Sequence, residues 1–203
     1  MSEGARRKDP EARRTGTGDP GLDLALRCRA GDEAAWTELY LAHGRRVSRF
    51  LRRILGDTPD LEDLVQQVFL ALLTGLEAYR GEARFGTWVL GIASHVAEGH
   101  LRRQFRWRRR QVAWQQWADA AGDRSPDPGE GVEAREILAA TFRAVADMDL
   151  PHRTVWVMCE VEGLDGREVA VALGIPAGTV RSRLFRARRD VATALCRGPG
   201  RTA

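Results

Sequence analysis

Apolar residues recur three and four positions apart through most of the chain, and nowhere do they alternate with polar ones at the period of a strand. The spacing predicts an all-α protein. Trp36, Leu39, Tyr40, His43, Val47, Phe50, Leu51 and Ile54 form one stripe, which follows Gly31 and has Asp32 placed to cap it. Thr58 as N-cap and Pro59 at the first helical position then announce a second helix, with Leu61, Leu64, Val65, Val68, Phe69, Leu72, Leu73 and Leu76 on its apolar face. Its opposite face carries Glu62, Asp63, Gln66 and Gln67. A third helix is expected from about Thr87 to Arg110, where Trp88, Ile92, Val96 and Leu101 give way to the arginine-rich run LRRQFRWRRR.

Two stretches interrupt the pattern. Residues 1–19 are polar and rich in Gly, Pro and charge, so they cannot recover the entropy of ordering and are expected to be a disordered tail. DAAGDRSPDPGEG, residues 119–131, reads as a flexible linker. The organisation expected is two small helical domains, 20–118 and 132–197, followed by a short tail over 198–203. In the second block Ile137, Leu138, Thr141, Phe142 and Val145 make one stripe, and Pro151 opens a helix through Val155, Trp156, Met158 and Cys159 that Gly163 ends. Asp165 can cap the next helix, with Glu168 three residues on completing a capping box and Gly174 stopping it after about two turns.

The composition, with 43% hydrophobic residues, suits ordinary globular cores. Formal net charge is only +4, but the basic residues cluster, and all except Lys8 are arginine, the side chain suited to bidentate phosphate and base recognition. Cys28, Cys159 and Cys196 lie far apart without metal-ligand spacing and read as reduced thiols. His43, His95, His100 and His152 are scattered, and no nucleophile–base pair or phosphate-binding glycine loop occurs. The expectation is a non-enzymatic protein with no cofactor and no metal. Without a secretory leader or a long apolar run, a cytoplasmic location with no membrane contact is expected.

The stretch EVAVALGIPAGTVRSRLFRARRDV sets five arginines just after a Gly-Ile-Pro turn. A short helix, a tight turn and a longer helix make the helix-turn-helix pattern, whose second helix enters the major groove. Ala170 permits close approach of the two helices, Gly174 supplies the turn, and Val180, Leu184, Ala187, Val191 and Leu195 share one apolar arc. Arg181, Ser182, Phe185, Arg186 and Arg189 then face outward, while Arg183 and Arg188 flank the seam as phosphate clamps or packed stems. From spacing alone the module binds DNA, and a solvated basic face is the plainer alternative.

GIPAGTVRSRLFRAR resembles the promoter-reading motif at the end of sigma factors, in particular the extracytoplasmic-function (ECF) group of the sigma-70 family. DLEDLVQQVFLALL at 60–73 and YRGEARFGTWVLGIASHVAEGHLRRQFR at 79–106 resemble the other domain of that family. The resemblance implies a subunit that binds core RNA polymerase and promoter DNA and starts transcription. It assigns Glu62, Asp63, Gln66 and Gln67 to the clamp helices of the β′ subunit. Tyr79, Arg80, Arg84, Phe85, Trp88 and His95 are assigned to melting and holding the minus-ten element, and Arg102, Arg103 and Arg106, with Arg108 to Arg110, to its backbone. The family's minus-thirty-five contacts fall on Thr179, Arg181, Ser182, Arg183, Phe185, Arg186 and Arg189. The second domain would also rest on the β flap, and an anti-sigma factor is a further partner the family suggests.

The chain departs from the family pattern at Gln67, where an acid is usual, at His95, where an asparagine is usual, in the short Leu150-Pro151-His152-Arg153 spacing, and at Leu164-Asp165-Gly166. Two other readings of the residues stay open: a free-standing helix-turn-helix regulator acting as a dimer, and a degenerate sigma relative serving as an interaction module. Trp107, Trp114 and Trp117, interleaved with arginine and glutamine, read as an extended helix packing back on its domain or as a surface for an inhibitory partner.

Overall fold

The structure, a computed structural model, describes residues 20–107 and 132–196. Both tails, the linker over 119–131, Arg108 to Arg110, Trp114 and Trp117 lie outside the described residues, as do the side chains of Arg106 and Trp107. Every regular element among the described residues is helical: α1 (Pro20–Arg29), α2 (Glu33–Leu55), α3 (Leu61–Gly75) running into a 3-10 turn (Leu76–Ala78), α4 (Phe85–Trp107), α5 (Val132–Asp147), α6 (Leu150–Trp156) continuing as a π turn (Val157–Val161), α7 (Gly166–Leu173) and α8 (Ala177–Cys196).

The capping signals act largely as their chemistry requires. The Asp32 carboxylate accepts the Ala34 and Ala35 N–H groups at 3.0 and 3.2 Å, satisfying donors that the first turn of α2 leaves without partners. The Arg27 guanidinium on α1 binds the same carboxylate and holds it below the usual aspartate range. α3 begins two residues later than Thr58-Pro59 suggests, because Thr58 closes a turn instead: its hydroxyl accepts the Asp60 N–H and its carbonyl the Leu61 N–H. Asp165 accepts the Arg167 N–H at 2.8 Å, and Gly174 ends α7 in the left-handed region with φ 64°, where glycine alone carries no Cβ penalty.

The two helical blocks pack against each other. Phe50, Leu51, Leu64, Leu72, Phe85 and Leu90 of the first share one continuous buried cluster with Val155, Met158, Val169, Ala172 and Val180 of the second. Burying each of the larger side chains contributes about 1.5–3 kcal/mol. α7 lies directly on α4, and Gly91 makes this possible, since a Cβ there would meet the Ala172 carbonyl oxygen at 2.1 Å. A smaller cluster of Val145, Ala146, Met148 and Ala187, joined by Phe142, Trp156 and Val191, seats α8 on α5 and α6.

His100 is buried on α4, and the Gln104 amide donates to its Nε2 at 2.8 Å. Burial lowers its pKa; Asp60 pulls the other way, and Arg103 adds to the lowering. The folded state therefore favours the neutral ring, whose contribution is present above the unfolded pKa of about 6.5 and lost as pH falls through the lowered folded value. Urea midpoints should fall between about pH 7.5 and about pH 5, and fall less in His100→Gln; equal slopes in both proteins would refute this role.

Candidate nucleic-acid and polymerase interfaces

α8 is fixed from beneath by Val180 and Ala187, both fully buried, with Leu184 and Val191 half-buried beside them. Leu195, expected on the same arc, is exposed. Arg181, Ser182, Phe185, Arg186 and Arg189 all face solvent, Phe185 at 68% exposure. Ser182 Oγ donates to the Thr179 carbonyl at 3.0 Å, leaving its lone pairs for another donor. Thr179 and Arg183 are half-buried at the seam. Arg188 is exposed and bonds Glu160 at 2.6 and 2.9 Å, so of the two flanking arginines it is the one ion-paired to α6's extension.

A second arginine-and-aromatic surface is built where α3 hands over to α4. The Tyr79 hydroxyl donates to the Ala83 carbonyl at 2.8 Å, and Gly81 takes φ 73°, which together fold YRGEARF into a compact turn. Tyr79 and Trp88 pack with ring centroids 5.0 Å apart, and Phe85 lies 5.2 and 5.7 Å from them. Phe85 corrects the sequence reading: it is 0% exposed and forms the hub under the other rings, so it offers no face to a base. Tyr79 and Trp88, both half-buried, are the aromatic faces that remain within reach. Arg80 is exposed.

Arg84 is already engaged. Its N–H, Nε and Nη2 donate to Glu168 of α7 at 3.0, 2.9 and 2.9 Å, and Thr87 Oγ1 donates to the same carboxylate at 2.8 Å. Burial pushes the Glu168 carboxyl up, but the bonds from Arg84 and Thr87 outweigh it and hold the group below the usual glutamate range. Glu168 thus does not close the capping box of its own helix. Further along α4, His95 is exposed and its Nδ1 meets the Gly91 carbonyl at 2.7 Å. Arg102 pairs with Glu98 one turn back at 3.7 Å. Arg106 stands on the last turn of α4.

On α3, Glu62, Asp63 and Gln66 are exposed and Gln67 is half-buried. Glu62 and Asp63 also suit the positive end of the helix dipole. Gln67 accepts a bond from Arg103 of α4 at 3.1 Å, tying this face to the arginines expected on DNA. Tyr40 and Leu73, expected in the apolar stripes, are each 50% exposed, and Leu70 is 61% exposed. Tyr40 packs against Phe69 with tilted rings 4.8 Å apart, so an apolar rim borders the polar face; Leu70 falls outside the helical stripe, the one signal that could have flagged it. Among the described residues no group of His, Cys, Asp and Glu could hold a metal ion, and no helix is long and apolar enough to cross a membrane.

The Sigma-70 region 2 family model matches residues 39–108, and the Sigma-70, region 4 model matches residues 143–191. The ECF RNA polymerase sigma factor SigE of Mycolicibacterium smegmatis is 33% identical over 85% of this chain and 67% of its own length. The RNA polymerase sigma-H factor of Pseudomonas aeruginosa is 30% identical over 88% of this chain and 95% of its own. Among solved structures, CnrH in complex with the cytosolic domain of CnrY matches with TM-score 0.61 at 22% identity, covering 86% of this chain and 96% of that one. The sigma factor RpoE of Bartonella quintana, in complex with the anti-sigma factor NepR, matches with TM-score 0.59 at 16% identity, over 79% and 96%. At these identities the two structures share the fold.

Proposed function

The chain belongs to the sigma-70 family, as an ECF sigma factor that directs transcription initiation with core RNA polymerase, and from that premise we propose which of its surfaces performs each step. The outward face of α8 reads the minus-thirty-five element: Arg181, Arg186 and Arg189 reach phosphates and guanine edges, with Thr179, Ser182, Arg183 and Phe185 around them. The observation that carries this is the division of α8 into a face locked on the core and a solvent face with exposed arginines. Tyr79 and Trp88 stack the bases of the melted minus-ten strand, Arg80 and Arg84 hold its phosphates, and His95 stands where a base is read. Arg102, Arg103 and Arg106 follow the backbone. The α3 face of Glu62, Asp63, Gln66 and Gln67 docks on the β′ clamp helices, and the second block rests on the β flap.

This is a binding subunit rather than an enzyme. An anti-sigma partner belongs to the same reading, supported by the complexes in which the two structural neighbours were solved.

The test is reconstitution with core polymerase on a genomic promoter library, where a discrete set of start sites is expected. Arg186→Ala combined with Arg189→Ala should lower initiation at least about tenfold, since each base contact is worth about 1–3 kcal/mol. Each lost phosphate contact should also flatten the salt dependence by about 0.9 in log–log slope. Polymerase joined without any transcript would overturn this reading in favour of a degenerate interaction module, and symmetric binding to a palindrome without polymerase in favour of a free-standing regulator.

A further inference from the structure

α2 carries a row of arginines that none of the surfaces above absorbs. Arg45, Arg46, Arg49, Arg52 and Arg53 follow one another closely, and no acidic residue lies between Glu38 and the end of the helix. At about 100 degrees per residue they share an arc of about 120 degrees, outside the buried face of Val47, Phe50, Leu51 and Ile54. Arg46 and Arg53 bind Glu162 at 2.9 and 2.7 Å, and Arg52 approaches Asp57 at 3.4 Å. Arg45 and Arg49 are exposed and pair with no carboxylate among the described residues.

The row begins at the promoter-melting surface. A Cβ on Gly86, in the first turn of α4, would meet Arg46 Nη1 at 2.8 Å and His43 Cε1 at 3.6 Å. His43 in turn meets Phe85 edge-on at 5.5 Å, and Phe85 is the hub beneath Tyr79 and Trp88. α4 gives this link a direction. Arg102, Arg103 and Arg106 stand toward its far end, about 25 Å from Phe85 at about 1.5 Å per residue, where the promoter is still duplex. The melted strand that Tyr79 and Trp88 hold therefore leaves at the near end, where the α2 row starts.

We propose that the α2 row is a backbone track for the single strand downstream of the minus-ten element, with Arg45 and Arg49 as its free phosphate ligands. The proposal rests on the minus-ten reading given above and extends it to DNA that no residue named there touches. The side chains select the occupant. A guanidinium pairs with phosphate oxygens through a planar fork, and arginines on successive turns repeat at about 5.4 Å, so the row suits a chain of charges more than a single anion. No aromatic residue shares the arc to stack a base, so the track holds the strand without reading its sequence.

Holoenzyme made from core polymerase and the full chain separates the track from the minus-ten surface. Two fork-junction promoter DNAs are compared, both duplex upstream. In one the single-stranded tail stops at the last minus-ten base, and in the other it runs about 8 thymidines further, within the length such grooves hold. Wild type should bind the extended fork at least about fivefold tighter. Arg45→Ala combined with Arg49→Ala should match wild type on the short fork and lose most of that gain. Its salt dependence on the extended fork should flatten by about 1.4 in log–log slope, about 0.7 for each single-strand phosphate contact. Neutral methylphosphonate linkages in the extension should remove the same gain from wild type and change little in the variant. Both positions are exposed and alanine favours helix, so helicity and unfolding midpoint should hold.

A variant that keeps the full gain would overturn the track. Equal losses on both forks would overturn it too, since the arginines would then act on the minus-ten surface or through overall charge. Weaker association with core enzyme would make the row a protein contact instead. Wild type that fails on the short fork would overturn the minus-ten reading, because that tail ends before the track, and the proposal would lose its premise.

Discussion

Replacing Arg153 by methionine should lower the unfolding free energy of the chain by at least about 3 kcal/mol, since it strands several buried carbonyls and each buried acceptor left unmade costs about 1–3 kcal/mol. Arg153 is 2% exposed, in the first turns of α6. Its Nε donates to the Val145 carbonyl at 3.0 Å, its Nη2 to Ala146 and Met148 at 2.5 and 2.6 Å, and its Nη1 to Ile54 at 2.8 Å. These carbonyls belong to the ends of α5 and α2, where the last turn has no helical partner for them and the dipole favours a cation. Burial draws the guanidinium pKa down to about 10, against the pull of Asp147 and Asp149, so the group is still charged at neutral pH. Methionine fills much of the volume but leaves the acceptors dry. Urea unfolding followed by circular dichroism measures the loss, which is a large share of the roughly 5–15 kcal/mol a domain has. Arg153→Lys should recover less than half, because an ammonium has three donors from one point and cannot fork across two helix ends. A methionine variant within about 1 kcal/mol of wild type would mean that water replaces the guanidinium, and the pinning role would be lost.

Arg153 also shows where sequence reading stops. It sits in LPHRTVWVM, an arginine among residues that turn out to be buried, and an arginine there is worth suspecting as a buried donor. Its acceptors, however, are backbone groups, which have no signature in the sequence. The same limit applies to Glu168. Three residues after Asp165 it looks like half of a capping box, but its partner Arg84 is 84 residues away. Local chemistry, by contrast, was legible: the Asp32 and Asp165 caps, the left-handed Gly174, and the α8 arc with Val180 and Ala187 inward all follow from spacing and side-chain type. α1 escaped because only Leu24, Ala25 and Cys28 bury, too few for a stripe. For the candidate site, residue types identified the arginine and aromatic surfaces, while packing decided that Phe85 lies beneath Tyr79 and Trp88. The merging of both blocks into one core was invisible, since Gly91 signals close approach only once Ala172 is known to face it.

Asp63→Arg should abolish association with core polymerase while leaving helicity and DNA binding by α8 intact. Asp63 is exposed in the first turn of α3, so the substitution forfeits a small dipole advantage and disturbs no buried contact. At a docked interface the consequence is much larger, because a cation set where a partner complements an acid costs several kcal/mol, a loss of more than about a hundredfold in affinity. Fluorescence anisotropy of the labelled chain with core enzyme measures it. Glu33→Arg is the matched control: it makes the same change of charge at an exposed acid in the first turn of a different helix, α2, and should leave association near wild type. Equal losses in both variants would mean that the polymerase senses net charge and not this face; normal association of Asp63→Arg would remove α3 from the interface. Gln67 sharpens the expectation. It is the member of the face tied to α4, through Arg103, so a polymerase that draws on Gln67 would also set the arginine proposed above to follow the promoter backbone. Arg103→Ala should then weaken promoter binding more in the holoenzyme than in the free chain, a difference that a purely solvated α3 face would not produce.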